Sequence, residues 1–333
     1  MLKFVRVLGP IVMAFVVASV FVAPTPLAVA QGKPATVTVG LLPPFPFYWA
    51  SYVATEAGLF KEQGLSVEEI QLSRPSEAVQ ALVGGSVNFA QVSADAFINA
   101  VEAGAKIAII GQAAGDPAFS VVVQPDYKSW SDLKGKTVAV SAPKDGAAVV
   151  FRLMARANGL KDGDYTFLSV GTTPNRYAAL KNRSADAAIL GQPFDFMAAE
   201  EGFRLLARSD AILPRYAFIM IGTNTVWAQT HRDEVTRYLR ALDRATDWLY
   251  NPANKTAAID LMTKRMRTIK RDAIAKIYAM YFEEGAGKII TRGARADLEG
   301  LRAYGQAMKD LDILKGPVDP ARWTDLSYQQ GSK

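Results

Sequence analysis

Short apolar runs alternate along the chain with amphipathic stretches, as expected of a protein built from strands and helices in turn. Polar and apolar positions alternate over residues 65–72, which predicts a half-buried strand, and the apolar run 37–41 predicts another. Between them, residues 49–57 predict a helix that ends at Gly58. The alternation favours largely parallel sheets, because helices are the usual connections between parallel strands.

A block that occurs twice organises this pattern. Residues 81–90 recur 98 positions later as residues 179–188, with four identities in ten, and each copy predicts a helix end, a turn and a strand that begins with Asn or Asp. A polar loop with a proline precedes each copy, and another polar loop follows it. The repeat predicts two similar α/β lobes. Because such loops leave sheets at the carboxyl ends of strands, we expect the loops of both lobes to face one ligand cleft.

The same pattern predicts how the chain divides between the lobes. We expect residues 31–121 to form the first part of lobe one, residues 122–218 to form lobe two, and residues 219–333 to return to lobe one. Apolar positions recur at helical spacing from Val235 to Leu249, so we expect this last part to be mostly helical.

The amino terminus predicts export. Lys3 and Arg6 precede an apolar run, and residues 28–30 read Ala-Val-Ala, an order typical of a signal peptide and its cleavage site. We therefore predict that residues 1–30 are a signal peptide, that the mature chain starts at Gln31, and that the protein is periplasmic. An uncleaved membrane anchor is the alternative, but a glycine and a proline interrupt the run, and a span needs about 20 apolar residues.

Composition narrows the chemistry. Without the signal peptide, 36 Lys and Arg face 32 Asp and Glu, a net charge of +4 that favours an anionic solute weakly and does not favour nucleic acid. The chain has no cysteine, which excludes disulfides, thiolate catalysis and Cys-ligated zinc. Its one histidine, His231, excludes a His-rich metal site. We expect no cofactor and no metal.

Four segments taken together resemble a known family. They are residues 58–65 (GLFKEQGL), 81–90, 132–140 (DLKGKTVAV) and 185–187 (ADA). In order and spacing they are similar to the nitrate/sulfonate/taurine and thiamine-pyrimidine class of ABC-transporter solute-binding proteins, over roughly residues 36–225.

The resemblance implies an α/β protein with the two-lobed periplasmic binding protein fold of type II. Each lobe would be a mostly parallel sheet flanked by helices, and two crossovers of the chain would make a two-stranded hinge. The resemblance also implies a small-molecule solute held between the lobes and an inner-membrane ABC permease as partner. We expect a monomer that binds no nucleic acid. The resemblance does not transfer the identity of the solute.

The loop after the first strand departs from that family. Residues 43–49 read Pro-Pro-Phe-Pro-Phe-Tyr-Trp, so three prolines stiffen a loop that carries four aromatic rings. Phe47, Tyr48 and Trp49 are candidates to sandwich a ring of the solute, at about 0.5–1.5 kcal/mol per stacked pair. In the alternative, these rings fill the core and one or two of them face the cleft.

Polar loops at strand ends and helix starts supply the other candidate contacts. They are Arg74, Ser93, Asp95, Ser141, Gly146, Ala147, Thr172, Thr173, Gln192 and Asp195. Free N–H groups at Gly146 and Ala147 can hold a carboxylate, sulfonate or phosphate, and Arg74 can pair with one as a fork. Lys144 and Arg176 are further cations of these loops. In the alternative, the hydroxyls and carboxylates cap helices and the cations are solvated.

We therefore expect a periplasmic substrate-binding component of an ABC importer that binds an aromatic or heteroaromatic solute, with or without an anionic group. A binder of alkyl sulfonate, taurine or nitrate is the alternative. We expect no enzyme, because thiamine-pyrimidine synthases of the same architecture need a cysteine-rich motif that is absent here. A hydrolase or lyase built on Asp95, Asp195 and Lys144 stays open, since such groups can do acid/base chemistry.

Overall fold

The computed structural model describes residues 1 and 2, 33–211, 215–284 and 289–331. The predicted signal peptide and its cleavage site lie outside the described residues, apart from the first two positions. No helix among the described residues combines the length and the apolar character needed to span a bilayer. From residue 33 onward the chain forms one compact unit.

The strands of the described residues are short. They are β1 (Ala35–Leu41), β2 (Leu65–Gln71), β3 (Phe89–Ser93), β4 (Ile107–Ala114), β5 (Phe119–Val123), β6 (Lys136–Val140), β7 (Tyr165–Ser169), β8 (Ala187–Gly191), β9 (Arg204–Arg208) and β10 (Ile219–Asn224). One sheet has the order β2-β1-β3-β10-β4, and the other has the matching order β7-β6-β8-β5-β9. In each sheet the fourth strand, β10 or β5, is antiparallel to both its neighbours. The other two pairs of each sheet are parallel, so each sheet is mixed. Four of its five strands run in the same direction, which agrees with the predicted mostly parallel sheets.

Helices cover both sheets. They are α1 (Trp49–Glu56), α2 (Leu59–Glu62), α3 (Pro75–Val83), α4 (Ala94–Glu102), α5 (Gly146–Ala157), α6 (Thr173–Lys181), α7 (Phe194–Glu200), α8 (Thr225–Thr230), α9 (Arg232–Tyr250), α10 (Lys255–Arg265), α11 (Arg271–Tyr278), α12 (Leu298–Asp310) and α13 (Pro320–Trp323). A π-helical turn, Ala279–Glu284, continues α11.

The repeated block builds the same unit in both sheets. In the first copy, Oδ1 of Asn88 accepts a hydrogen bond from the Thr38 N–H at 2.8 Å. In the second copy, Oδ2 of Asp186 accepts one from the Thr137 N–H at 2.9 Å. Each of these side chains precedes the middle strand of its sheet, β3 or β8, and ties the start of that strand to the parallel neighbour, β1 or β6. The repeated Asn or Asp therefore fixes the register of two strands.

The chain crosses between the sheets twice, from β4 to β5 and from β9 to β10, which gives the two-stranded connection that the resemblance implies. The helical tail packs on the first sheet through α9. There the Tyr238 ring stacks on Phe89, with centroids 3.9 Å apart, and on Phe60 at 5.2 Å. Burial of these rings is what brings the tail back to the first lobe. The predicted lobe boundaries after residues 121 and 218 stay predictions.

Candidate functional site

A cavity of about 110 Å³ lies between the two lobes, at the carboxyl ends of the parallel strands. The first lobe contributes the loop after β1 and the starts of α3 and α4. The second lobe contributes the loop after β6 and the starts of α5 and α6. The cavity is therefore built from three of the four loops that flank the repeated blocks, together with the loops after β1 and β6.

Four phenylalanine rings form the apolar wall of the cavity, namely Phe45, Phe47, Phe119 and Phe218. The Phe47 centroid lies 5.0 Å from that of Phe45, 6.2 Å from Phe119 and 5.8 Å from Phe218. Tilted and edge-to-face pairs at these distances contribute about 0.5–1.5 kcal/mol each beyond area burial. Phe119 begins β5 of the second sheet, whereas Phe45 and Phe47 follow β1 and Phe218 directly precedes β10, both strands of the first sheet. The wall therefore joins the two sheets.

A buried arginine provides the main charge on the polar side. Arg176, in α6, is 4% exposed. Its Nη1 donates to the Gly171 carbonyl at 3.1 Å and its Nη2 to the Thr173 hydroxyl at 2.7 Å, whereas its Nε has no partner among the described residues. Burial lowers the pKa of Arg176 to about 9, and nearby Asp145 acts in the opposite direction. A buried cation is unfavourable unless an anion offsets its charge. Asp145 offsets it in part, and Arg176 lines the cavity, so this position suits a further anionic group.

Four helices begin at the cavity. Their N-cap residues are Arg74 (α3), Ser93 (α4), Asp145 (α5) and Thr172 (α6). Within the described part of the chain, none of these side chains accepts a hydrogen bond from its own helix. The first N–H groups of a helix lack intrahelical acceptors and carry partial positive charge. The converging helix starts therefore add to the attraction that Arg176 exerts on an anion.

Asp95 lies behind the cavity, in the seam between the lobes. Its carboxyl is 1% exposed and accepts a hydrogen bond from the Tyr304 hydroxyl at 3.1 Å. Burial, together with the negative charge of Asp145, raises the pKa of Asp95 to about 7. The side chain sits against Gly146 of the second lobe. Asp95 therefore contacts the opposite lobe, where the sequence predicted a contact with the solute.

Most of the predicted contacts come together at the cavity. Those that line it are Phe47, Tyr48, Arg74, Ser93, Ser141, Gly146, Ala147, Thr172 and Thr173. Arg74 is more exposed than Arg176 and forms an ion pair with Glu77 at 3.4 Å. Arg176 is thus the better placed of the two arginines to hold a buried anion.

Trp49 does not line the cavity, contrary to the sequence hypothesis. Its indole is fully buried, and Nε1 donates to the Ala258 carbonyl at 3.2 Å. The ring packs edge-to-face on Tyr278 and Phe282 of the helical tail. Trp49 is the first residue of α1, so its side chain leaves the loop and enters the core of the first lobe. The alternative that some rings fill the core applies to this one.

Gln192 and Asp195 also lie away from the cavity. Asp195 accepts hydrogen bonds from Ser120 at 2.7 Å and from Gln192 at 2.9 Å, and Tyr281 donates to Gln192 at 3.0 Å. Burial raises the pKa of Asp195. Because these polar atoms pair with one another, they link β5, the loop after β8 and the helical tail. The sequence predicted that both side chains contact the solute, and in this structure their polar atoms are paired within the protein.

Two rings of the cavity wall, Phe119 and Phe218, were missed by the sequence interpretation. Each lies at a crossover between the sheets, where no local pattern shows that the chain turns toward the cleft.

The described residues hold no cluster of three or more acidic or histidine side chains that could bind a metal ion.

A family model described as NMT1/THI5 like matches residues 47–255. A Brucella abortus protein that bears the provisional name of a binding protein is 25% identical over 297 residues, covering 84% of this chain and 88% of that protein. A Saccharomyces cerevisiae 4-amino-5-hydroxymethyl-2-methylpyrimidine phosphate synthase, THI11, is 21% identical over 225 residues, covering 62% and 64%. The alkanesulfonate-binding protein SsuA of Xanthomonas axonopodis pv. citri, solved with MOPS bound, superposes with a TM-score of 0.71 at 16% identity, covering 86% of this chain and 96% of SsuA. This likeness shows the periplasmic binding protein fold.

Proposed function

Because the chain belongs to the NMT1/THI5-like family, we propose that it is the solute-binding component of an ABC importer. The protein is exported to the periplasm after cleavage before Gln31, binds its solute between the lobes and presents it to an inner-membrane permease. The inter-lobe cavity and the likeness to SsuA support this function. The relative from Brucella abortus, named as a binding protein over nearly the same length, supports it as well.

The solute carries an anionic group on a compact apolar body, with an aromatic or heteroaromatic ring as the leading candidate. The observation that carries this proposal is the buried guanidinium of Arg176, which lines the cavity together with a wall of phenylalanine rings. The cavity of about 110 Å³ is somewhat smaller than the roughly 150 Å³ apolar cavity that accommodates benzene. The cavity is therefore comparable in size to a single small ring. Alkyl sulfonates, taurine and nitrate are the alternatives.

Binding works by closure of the lobes about the two crossovers. Rings of both lobes are in contact around the cavity, and we infer that this arrangement is a closed form. A solute that bridges Arg176 of the second lobe and the loop after β1 of the first lobe binds this form more tightly than an open one. That difference in affinity is what shifts the population toward closure.

An enzyme of the same architecture is the second candidate, since the yeast relative is named as a synthase. The chain lacks cysteine altogether, and Asp195 is engaged in hydrogen bonds away from the cavity. Lys144, the third group of the acid/base hypothesis, is exposed on the loop before α5. Recovery of each bound compound unchanged after prolonged incubation distinguishes a binder from an enzyme.

A thermal-shift screen of the mature protein tests the proposed function. The panel contains heteroaromatic carboxylates, pyrimidine precursors of thiamine, alkyl sulfonates, taurine and nitrate. A compound that binds the folded form alone stabilises it by about 2.7 kcal/mol at a hundredfold excess over Kd, which raises Tm measurably. If no compound of the panel raises Tm, the proposed solute class is wrong.

The variant Arg176→Lys tests the anion site. Lysine keeps the charge but cannot reproduce the planar fork, so we expect affinity for an anionic hit to fall by about tenfold or more. Arg152→Lys is the matched control. Arg152 lies in α5, is also mostly buried, and forms an ion pair with Asp162, which follows that helix. Equal affinities of the two variants would contradict the role of Arg176.

A further inference from the structure

Two glycines of the second lobe lie where the first lobe approaches it most closely. A Cβ atom added to Gly146 would lie 2.8 Å from the Phe218 ring and 2.9 Å from Oδ1 of Asp95. A Cβ atom added to Gly191 would overlap the Phe45 ring. Separations below 3.0 Å are not found for real Cβ atoms, so the opposing groups would have to move.

The backbone does not explain why glycine occupies these positions. Neither Gly146, the first residue of α5, nor Gly191, the last residue of β8, has a positive φ angle, so any residue can adopt both conformations. The rings that come closer than 3.0 Å belong to the other lobe, although Phe119 of the second lobe also lies 3.3 Å from a Cβ atom added to Gly191. Phe45 follows β1, and the Phe218 carbonyl accepts a hydrogen bond from the Ala94 N–H at the start of α4. What the glycines provide is therefore space between the lobes.

We propose that Gly146 and Gly191 set how far the lobes can close, so that a methyl group at either position holds the cleft open and weakens solute binding. This inference rests on the proposed function, because it concerns closure on a solute. Gly191 does not itself line the cavity, so its substitution removes no direct contact with a solute. It can act through closure or through displacement of Phe45, which does line the cavity, and the scattering measurement below distinguishes the two. If the closed fraction falls tenfold, the apparent affinity falls by the same factor of about ten.

The test compares Gly191→Ala and Gly146→Ala with the wild type and with Gly84→Ala. Gly84 is an exposed helix C-cap with φ −75°, and its added Cβ meets the carbonyls of its own helix, the nearest at 3.3 Å. Calorimetry measures the affinity for the compound that raises the wild-type Tm, and small-angle X-ray scattering measures the radius of gyration with and without it. We expect the two seam variants to bind at least about tenfold more weakly and to compact less on binding. Binding and compaction equal to those of Gly84→Ala would overturn the inference.

A double variant separates closure from damage within the second lobe. In a Phe45→Ala background the obstructing ring is absent, so Gly191→Ala should no longer weaken binding, and the two substitutions should be strongly non-additive. Additive losses, or a large fall in the Tm of ligand-free Gly191→Ala, would show that Gly191 serves packing within its own lobe and would overturn the inference.

Failure of the proposed function gives a different result. If no compound binds the wild type, scattering of the ligand-free proteins alone decides the role of the glycines. A wild type more compact than Gly191→Ala then supports the inference, and identical scattering curves overturn it.

Discussion

The buried carboxyl of Asp95 should make the stability of this protein depend on pH. Its pKa rises from an ordinary value of 3.8 to about 7, because the group is buried in the seam and faces the charge of Asp145. A carboxyl with a raised pKa holds its proton more tightly in the folded than in the unfolded chain. Stability is therefore highest at low pH and is lost as the pH rises from about 4 to about 7.

The size of the effect follows from the two pKa values. A pKa difference between 3.8 and about 7 corresponds to about 4 kcal/mol, at roughly 1.36 kcal/mol per pH unit. Between pH 5 and pH 8 the share lost is about 2.5 kcal/mol. The substitution Asp95→Asn removes the titrating proton but keeps an amide oxygen that can accept the Tyr304 hydroxyl. It should therefore raise the free energy of unfolding at pH 8 by up to about 4 kcal/mol and at pH 5 by much less.

Urea unfolding of the ligand-free protein at pH 5, 6, 7 and 8, followed by circular dichroism, measures this difference. Asp312→Asn is the matched control, because the Asp312 side chain is 91% exposed. Asp145 and Asp195 also have raised pKa values, so the wild type keeps some pH dependence of its own. The quantity to compare is the gap between Asp95→Asn and the wild type at each pH.

A gap that stays constant from pH 5 to pH 8 would refute the reasoning. It would mean that Asp95 titrates in the folded chain as it does in the unfolded one, and therefore that the seam is hydrated in solution. A gap that widens toward low pH would also refute it. That behaviour is expected only of a carboxyl whose pKa is lower in the folded than in the unfolded chain.

Three further predictions concern the fold. Asp186→Ala leaves the Thr137 N–H without its acceptor, so it should lower the free energy of unfolding by about 1–3 kcal/mol in urea titrations. An unchanged free energy of unfolding would contradict the role of Asp186 in strand register. Trp49→Phe loses the hydrogen bond to Ala258, so it should lower the Tm of the ligand-free protein but leave solute affinity unchanged, as calorimetry can show. Arg183 has a left-handed backbone, with φ +59°, at the position where the first copy of the repeat has glycine. Arg183→Gly should relieve this strain and raise Tm slightly or leave it unchanged. A marked fall in Tm would contradict the presence of backbone strain.

The sequence predicted the strands and helices well because their signals are local. The helix predicted over residues 49–57 is α1, and the strand predicted over residues 65–72 is β2. The repeated block predicted two lobes of one design, and the Asn or Asp in it has the same structural role in both copies. Three of the four loops that flank the block lie at the cavity, since strand direction decides at which edge of a sheet a loop emerges, whereas the loop with Gln192 and Asp195 does not reach it.

The direction of individual side chains could not be predicted in the same way. Tyr48 lines the cavity and Trp49 lies in the core, although they are neighbours in an aromatic loop, because the backbone turns into α1 between them. Gln192 and Asp195 are buried by the distant partners Ser120 and Tyr281, and that pairing has no trace in the local sequence.

The sequence by itself determined the order of strands and helices, the two lobes and most of the loops that meet between them. Periodicity, turn residues and the internal repeat act over a few positions and can be read along the chain. Tertiary structure alone decided which groups form the site. Arg176 became a buried cation because Phe119 of β5 packs beside it, with the guanidinium centre 5.8 Å from the ring centroid. Gly146 met Asp95 because the lobes close on each other. Contacts between segments far apart in the sequence decide which side chains are buried, and burial shifts the pKa values of ionisable side chains. These properties therefore arise only when the chain is folded.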